Sequence, residues 1–284
     1  METLTALIAQ KGYISTKFSS ADINGRGRAL VATGNIQSNE LLLRLPPSAL
    51  INVTSLGKRG LPGQQTITHF VYEYLHDPEN CVIPPSLDEQ ICRSYMNTLP
   101  PFDSFEDLPL TWSAERIRQL PTAAQNHVDA MRHELETDWN RYSGNGNESK
   151  EVPSQFLYAW LCVNTRVVFT KLPKVEHDDS MSMVPVLDFL NHTDDPSLGC
   201  KVIYHPLRGL ELFSKTGTTV QDEELMLSYG PHDQEFLLCE YGFMLDSNQW
   251  QSVDVTAPTL ELISKHAIVS AKSSASRNML FSKQ

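Results

Sequence analysis

Basic residues are scarce in this sequence. Lys and Arg total 23 against 34 Asp and Glu, which leaves a formal net charge of −11 over 284 residues. Nucleic-acid binding needs clustered cations to neutralise phosphates, so the shortage argues against that partner. It suits a basic protein or peptide, although solubility accounts for a negative charge equally well. Long apolar runs are also missing. No stretch approaches the roughly 20 residues required to span a bilayer, and no membrane partner is expected. The opening METLTALIAQ lacks the length and basic flank of a secretory signal. Ser282-Lys283-Gln284 is not a peroxisomal address. The five cysteines are widely spaced and none forms a C-x-x-C pair. That argues against a disulfide framework and a zinc knuckle, and it points to a reducing compartment, the cytoplasm with the nucleus as a second location. There is no P-loop and no G-x-S-x-G.

What is present is an ordinary globular balance, 40% apolar and 20% charged. The length fits one large domain or two smaller ones. Short apolar runs at Tyr13-Ile14, Ala29–Ala32 and Leu41–Leu45, punctuated by glycine and proline, read as strands. From 64 to 142 the pattern turns helical. Ile67, Phe70, Val71, Tyr74 and Leu75 share one helix face. Ser86-Leu87-Asp88-Glu89 reads as a capping box ahead of Ile91, Tyr95 and Met96. Ser113 caps a short helix, and Val128, Met131, Leu135, Trp139 and Tyr142 mark a longer one. A polar loop at Ser143–Lys150 precedes an apolar helix capped by Ser154 and running through Phe156, Trp160, Val163 and Val167. Strand signals return at Val184–Leu187, Lys201–Tyr204, Gly209–Phe213 and Glu224–Tyr229. A last helical pattern passes through Leu260, Ile263 and Ile268 before a frayed tail. The order is β, helical block, helix, β, helix, which favours an α+β fold over a doubly wound sheet.

Several residues stand out. Asn24-Gly25-Arg26-Gly27-Arg28-Ala29 has Leu30 where a dinucleotide loop would carry its third glycine. It is either a plain turn or bare backbone lying against a ligand. Arg166, at the end of an apolar helix, wants a carboxylate, from Asp188 or from a ligand. Asp188-Phe189-Leu190-Asn191-His192 places polar groups directly after an apolar run, and buried polar groups need partners. No HxH or HxxxH pair accompanies His192, His177 or the neighbouring aspartates, so no metal is expected. Two Tyr-Gly steps, Tyr229-Gly230 and Tyr241-Gly242, end apolar segments and can line an aromatic slot. Cys200 and His205 lie close in sequence, but nothing organises them as a nucleophile pair.

Taken in order, these segments resemble the SET-domain methyltransferases, specifically the Rubisco-type branch of non-histone protein-lysine methyltransferases. The match is carried by Gly25–Ala29, Trp160–Arg166, Val186–His192, Glu224–Gly230 and Glu240–Phe243. It covers roughly residues 15–245, with a helical insertion at about 53–150 and a short C-terminal helical segment at 246–284. The resemblance implies small curved sheets, a pseudo-knot bringing DFLNH against SYG, and S-adenosylmethionine meeting the substrate lysine through a narrow channel. It implies that Asn24, Gly25 and Arg26 cradle the cofactor, with Asn24 where an acidic residue is usual. It gives Arg166 to the methionine carboxylate, with Asp188, Asn191 and His192 beside the cofactor. Tyr229 becomes the catalytic tyrosine, in contact with the cofactor as well. Tyr241 and Phe243 line the substrate channel, and Phe243 also touches the cofactor. A basic protein, a ribosomal protein or elongation factor, is the implied substrate of a monomeric enzyme. A SET-fold binding module without turnover and histidine methylation are the alternatives.

Three departures from that pattern follow. Gln234 stands where Asn is usual. Gln221-Asp222-Glu223 lacks the usual glycine, a place where Asp is tolerated. Little chain follows Phe243 for the second lobe that relatives carry, and no cysteine follows Cys239 to build a zinc tail.

Overall fold

The computed structural model describes residues 2–57, 61–144, 151–252 and 259–266. They fall into two compact units, Met1–Gln249 and Trp250–Gln284. In the second unit, the helix at 259–266 is exposed along its whole length. Leu260 and Ile263 lie on it, whereas Ile268, the tail and most of the expected polar loop lie outside the described residues.

The first unit opens with α1 (Glu2–Lys11), which buries Leu4 and Ile8 one turn apart. Strands β1 (Tyr13–Ile14), β2 (Phe18–Ile23), β3 (Gly27–Ala32), β4 (Leu41–Leu45) and β5 (Ile51–Asn52) follow. Next come α2 (Gly63–His76), α3 (Glu89–Met96), α4 (Ala114–Ile117), α5 (Thr122–Ser143) and α6 (Ser154–Asn164). The chain then returns to short strands: β6 (Val167–Phe169), β7 (Met181–Met183), β8 (Asn191–His192), β9 (Lys201–His205), β10 (Gly209–Phe213) and β11 (Glu224–Leu227). Helix α7 (Gln234–Tyr241) closes the unit's elements. Three small sheets result, ordered β1-β4-β10-β9, β2-β3-β11-β8 and β5-β7-β6. The α+β class expected from the sequence is the one observed.

Two hydrophobic clusters hold the unit together. One joins the sheets to α1, α2 and α3, through Leu43, Phe70 and Tyr95 among others. The other joins α5, α6 and α7 through Met131, Phe156, Trp160 and Cys239. Burying a large side chain in such a cluster stabilises by roughly 1.5–3 kcal/mol, so each cluster fixes its helices firmly.

Several local expectations are corrected. Helix α1 and strand β2 were not anticipated. β2 is half exposed and carries Ser19, Ser20 and Asp22, so it shows no apolar run. Asp88 rather than Ser86 caps α3, accepting from the Ile91 amide, and Pro153 rather than Ser154 is the cap residue of α6. Helix α6 ends at Asn164, and Val167 pairs in β6 with Met183 of β7, where a β-branched side chain packs well. The apolar run Val184–Leu187 is no strand. Val186 is buried at φ 71°, and a single turn of 3-10 helix, Leu187–Phe189, follows it. Ser113 caps α4 as expected. Asp222 takes φ 66°, the left-handed conformation that Asp tolerates where glycine is usual.

Candidate functional site

The site is assembled by one parallel pairing. β8 lies beside β11, with Asn191 opposite Met226 and His192 opposite Leu227. The Tyr229 amide then donates to His192 Nδ1 at 3.0 Å, and the Tyr229 hydroxyl donates to the Leu190 carbonyl at 2.7 Å. DFLNH and SYG therefore meet as the resemblance implied. Gly230 completes the corner at φ 139°, and a Cβ there would come within 2.5 Å of His232 Nε2.

Beside this seam lies a cavity of about 920 Å³. Its wall comes from the β2–β3 turn, the stretch after α3 (Pro100 to Leu108), the end of α6, the 188–194 segment, Tyr229 and the 241–246 segment. Gly25, Arg26, Arg166, Asp188, Asn191, His192, Tyr229, Tyr241 and Phe243 all line it. Asn24 does not. It sits exposed at the tip of the turn, while Asp22 of β2 faces the cavity instead. At Gly25 and Gly27, both at positive φ, a Cβ would project into open space.

Four rings form a cluster at the seam. Tyr229 lies 5.0 Å from His192 and 4.9 Å from Tyr241 between centroids. Phe243 is 6.1 Å from His192 and 6.2 Å from Tyr241. Burial pushes the Tyr229 hydroxyl well above the ordinary tyrosine range, with the neighbouring Tyr241 adding to the effect. Burial raises Tyr241 to about 12. Both hydroxyls therefore stay protonated at physiological pH. Burial, reinforced by His232, lowers the His192 pKa and keeps the ring neutral. With Nδ1 accepting from Tyr229, its proton sits on Nε2, a buried donor with no partner among the described residues.

The polar side of the site is braced from behind. Glu224, on β11, accepts from Asn191 Nδ2 at 2.8 Å and pairs with Arg26 at 2.8 Å. It stood inside a motif identified in the sequence without an assigned role. Asp188 follows the strained Val186, where a positive φ costs about 1–3 kcal/mol. Its Oδ2 lies 3.7 Å from Arg166 Nε and accepts from the Tyr95 hydroxyl at 2.9 Å, while Oδ1 has no partner among the described residues. Burial outweighs Arg166 and pushes this carboxyl up to about 6. Arg166 thus meets Asp188, the structural partner read in the sequence, and it also lines the cavity. Helix α7 is pinned by Glu240, which meets His127 Nε2 and Asn164 Nδ2, each at 2.6 Å, and this places Tyr241. Gln234 exchanges hydrogen bonds with both backbone groups of Leu245, a cavity residue.

Other candidates fall away from the site. His177 and Asp178 are exposed and pair with each other, and Asp179 accepts from the Gly63 amide at the start of α2. Burial raises the Cys200 thiol to about 11, which leaves no thiolate to act as a nucleophile.

Comparison with known proteins gives a consistent picture. The family model described as SET domain matches residues 27–230. Ribosomal lysine N-methyltransferase 2 of Saccharomyces cerevisiae is 28% identical over 227 residues, covering 65% of this chain and 47% of that protein. Ribosomal lysine N-methyltransferase set11 of Schizosaccharomyces pombe is 24% identical over 249 residues, covering 87% of this chain and 62% of that protein. The chain thus spans about half to three fifths of the length of these relatives. The crystal structure of the SET domain of LSMT bound to lysine and AdoHcy superposes with a TM-score of 0.65 at 17% identity, over 86% of this chain and 57% of that one. The likeness establishes the SET fold for the chain.

Proposed function

This chain belongs to the SET-domain family, and on that premise we propose that it transfers a methyl group from S-adenosylmethionine to a lysine of a basic, non-histone protein. The names of its relatives support a ribosomal protein as the target. The proposal places the enzyme in the cytoplasm, with the nucleus as a second location, as a monomer independent of nucleic acid and membranes. The observation that carries it is the ring cluster of His192, Tyr229, Tyr241 and Phe243 beside a cavity whose wall holds buried polar atoms that lack a partner among the described residues.

The residues present fit the cofactor. Bare backbone at Gly25 and Gly27 leaves room for close approach. Arg166 suits a carboxylate, Asp188 Oδ1 is free to accept from an amine, and His192 Nε2 is free to donate. When bound, S-adenosylmethionine supplies a methyl group activated by a positively charged sulfur.

The chain's own residues then do three things. The aromatic wall keeps water from the amine and disfavours its charged form, lowering a lysine pKa from its ordinary value of about 10.4. The rings can still receive the arriving ammonium by cation–π attraction. Tyr229 keeps its own proton at physiological pH, so no phenolate is present to act as a base. Its proton is committed to the Leu190 carbonyl, which leaves its oxygen lone pairs to accept from the amine and align it.

Incubation with tritiated S-adenosylmethionine and ribosomes tests this reading. A discrete labelled ribosomal protein carrying methyl-lysine is expected. Tyr229→Phe should lower the rate by roughly 100-fold or more, as loss of one preorganised hydrogen bond does elsewhere. No labelling, or labelling indifferent to that substitution, would overturn it. Methyl-histidine in the labelled peptide would shift the assignment to histidine.

A further inference from the structure

We propose that Tyr95, on α3 behind the cavity wall, is a positioning residue that fixes Arg166 through Asp188. Through it, the helical block between β5 and α6 governs how tightly the site grips the carboxylate end of its ligand. This inference rests on the function proposed above.

Tyr95 is fully buried in the main hydrophobic cluster, and its hydroxyl donates to Asp188 Oδ2. A carboxylate is free to turn about its last torsion, whose well is broad. The Tyr95 hydroxyl pins one oxygen, and the pinned oxygen is the one facing Arg166 Nε. The Phe105 ring lies 5.6 Å from the Arg166 guanidinium carbon, and Arg166 Nη1 donates to Thr165 Oγ1. Besides its neighbour Thr165, two residues of the block bear on the orientation of Arg166, Phe105 directly and Tyr95 through Asp188.

The chain just past α3 reaches a second cavity arginine. Arg28 donates to the Thr98 carbonyl at 2.6 Å and lies over the Phe189 ring. Thr98 lies two residues past the end of α3, so α3 and the turn that follows it together support two of the three arginines lining the cavity.

The groups facing Asp188 are Tyr95 from α3, Cys162 and Arg166 from α6 and its end, Arg28 from β3, and Tyr229 beyond β11. The Tyr95 hydrogen bond favours the ionised carboxylate against burial. Removing it would keep Asp188 protonated to higher pH and loosen Arg166 there.

The test uses the full chain and S-adenosylhomocysteine, with binding followed by calorimetry at pH values on both sides of about 6. Tyr95→Phe keeps the ring and removes only the hydroxyl. It should weaken binding about tenfold at neutral pH, the scale of a lost hydrogen bond to a charged group. It should also displace the acid limb of affinity to higher pH. Tyr74→Phe is the control, another core tyrosine, whose ring lies near Arg93 and which is not among the groups facing Asp188. It should leave affinity and acid limb in place, even where both variants lower the melting temperature alike. If the wild type binds and Tyr95→Phe is indistinguishable from it, or if Tyr74→Phe behaves the same way as Tyr95→Phe, the inference is overturned alone. A wild type that binds no S-adenosylhomocysteine removes the functional reading and the inference with it.

Discussion

Asp138 in α5 and Asp188 at the seam are both buried, and burial pushes both carboxyls up to about 6. Asp138 is buried on α5, the helix that carries Met131 and Leu135 of the second hydrophobic cluster. Trp160 Nε1 donates to its Oδ2 at 3.2 Å, and the pair ties α5 to α6. Around Asp188 the chain is strained at Val186, a cation stands at 3.7 Å, one carboxylate oxygen has no partner among the described residues, and a cavity opens beside it. A raised carboxyl reports only that water has been removed. That carboxylate oxygen, the strained turn and the cavity mark the aspartate that is built to meet something else.

The largest expected break in this comparison is on the Asp138 side. Trp160→Ala removes a buried ring and the partner of Asp138 together, and should cost about 3–5 kcal/mol in chemical denaturation. The folded fraction should retain its affinity for S-adenosylhomocysteine. Next comes the pair Asp188→Asn and Asp138→Asn. Only the first should weaken that affinity, by about tenfold on calorimetry, because only it removes the charge facing Arg166.

The pH dependence of stability is the third test. A carboxyl raised by folding contributes stability that is fully present below its unfolded value, about 3.9, and is lost as pH rises through about 6. Each of the two should cost roughly 2–3 kcal/mol over that window. Denaturation midpoints followed across it should flatten by one step in each Asn variant and by both in the double variant. An unaltered slope in either single variant would contradict the burial argument for that residue. The smallest effect belongs to Gln234→Asn, which restores the residue usual in the family but withdraws the amide from Leu245. It should cost about 1 kcal/mol or less.

The parts of the site readable in the sequence were those packed into short contiguous motifs. Asn191 and His192 were legible within the DFLNH segment and Tyr229 within the SYG segment, although the two segments meet across 37 positions of sequence. Tyr95 was legible only as an apolar-face residue of a helix. Its chemical role depends on Asp188, 93 positions away, and no local pattern records such a partner. Glu224 was visible yet silent for the same reason, since its partners arrive from distant segments, Asn191 from β8 and Arg26 from the β2–β3 turn. Val184–Leu187 misled because an apolar run has no signature that separates a buried strand from a strained buried turn. Strand β2 was hidden by its polarity, as most of its residues meet water and are held in place by β3.

The parallel pairing of β8 with β11 spans only two residue pairs. So short a ladder cannot hold itself together, and it depends on β11 pairing with β3 from the opposite end of the unit. Such distant contacts form slowly, because loop closure must precede any reward. The two halves of the tyrosine seam are therefore expected to meet late in folding, and the order in which amide protection appears along β3, β8 and β11 during refolding checks it. A partly folded chain contains every residue of the cluster and none of its geometry, so assembly of the pocket reports that folding is complete.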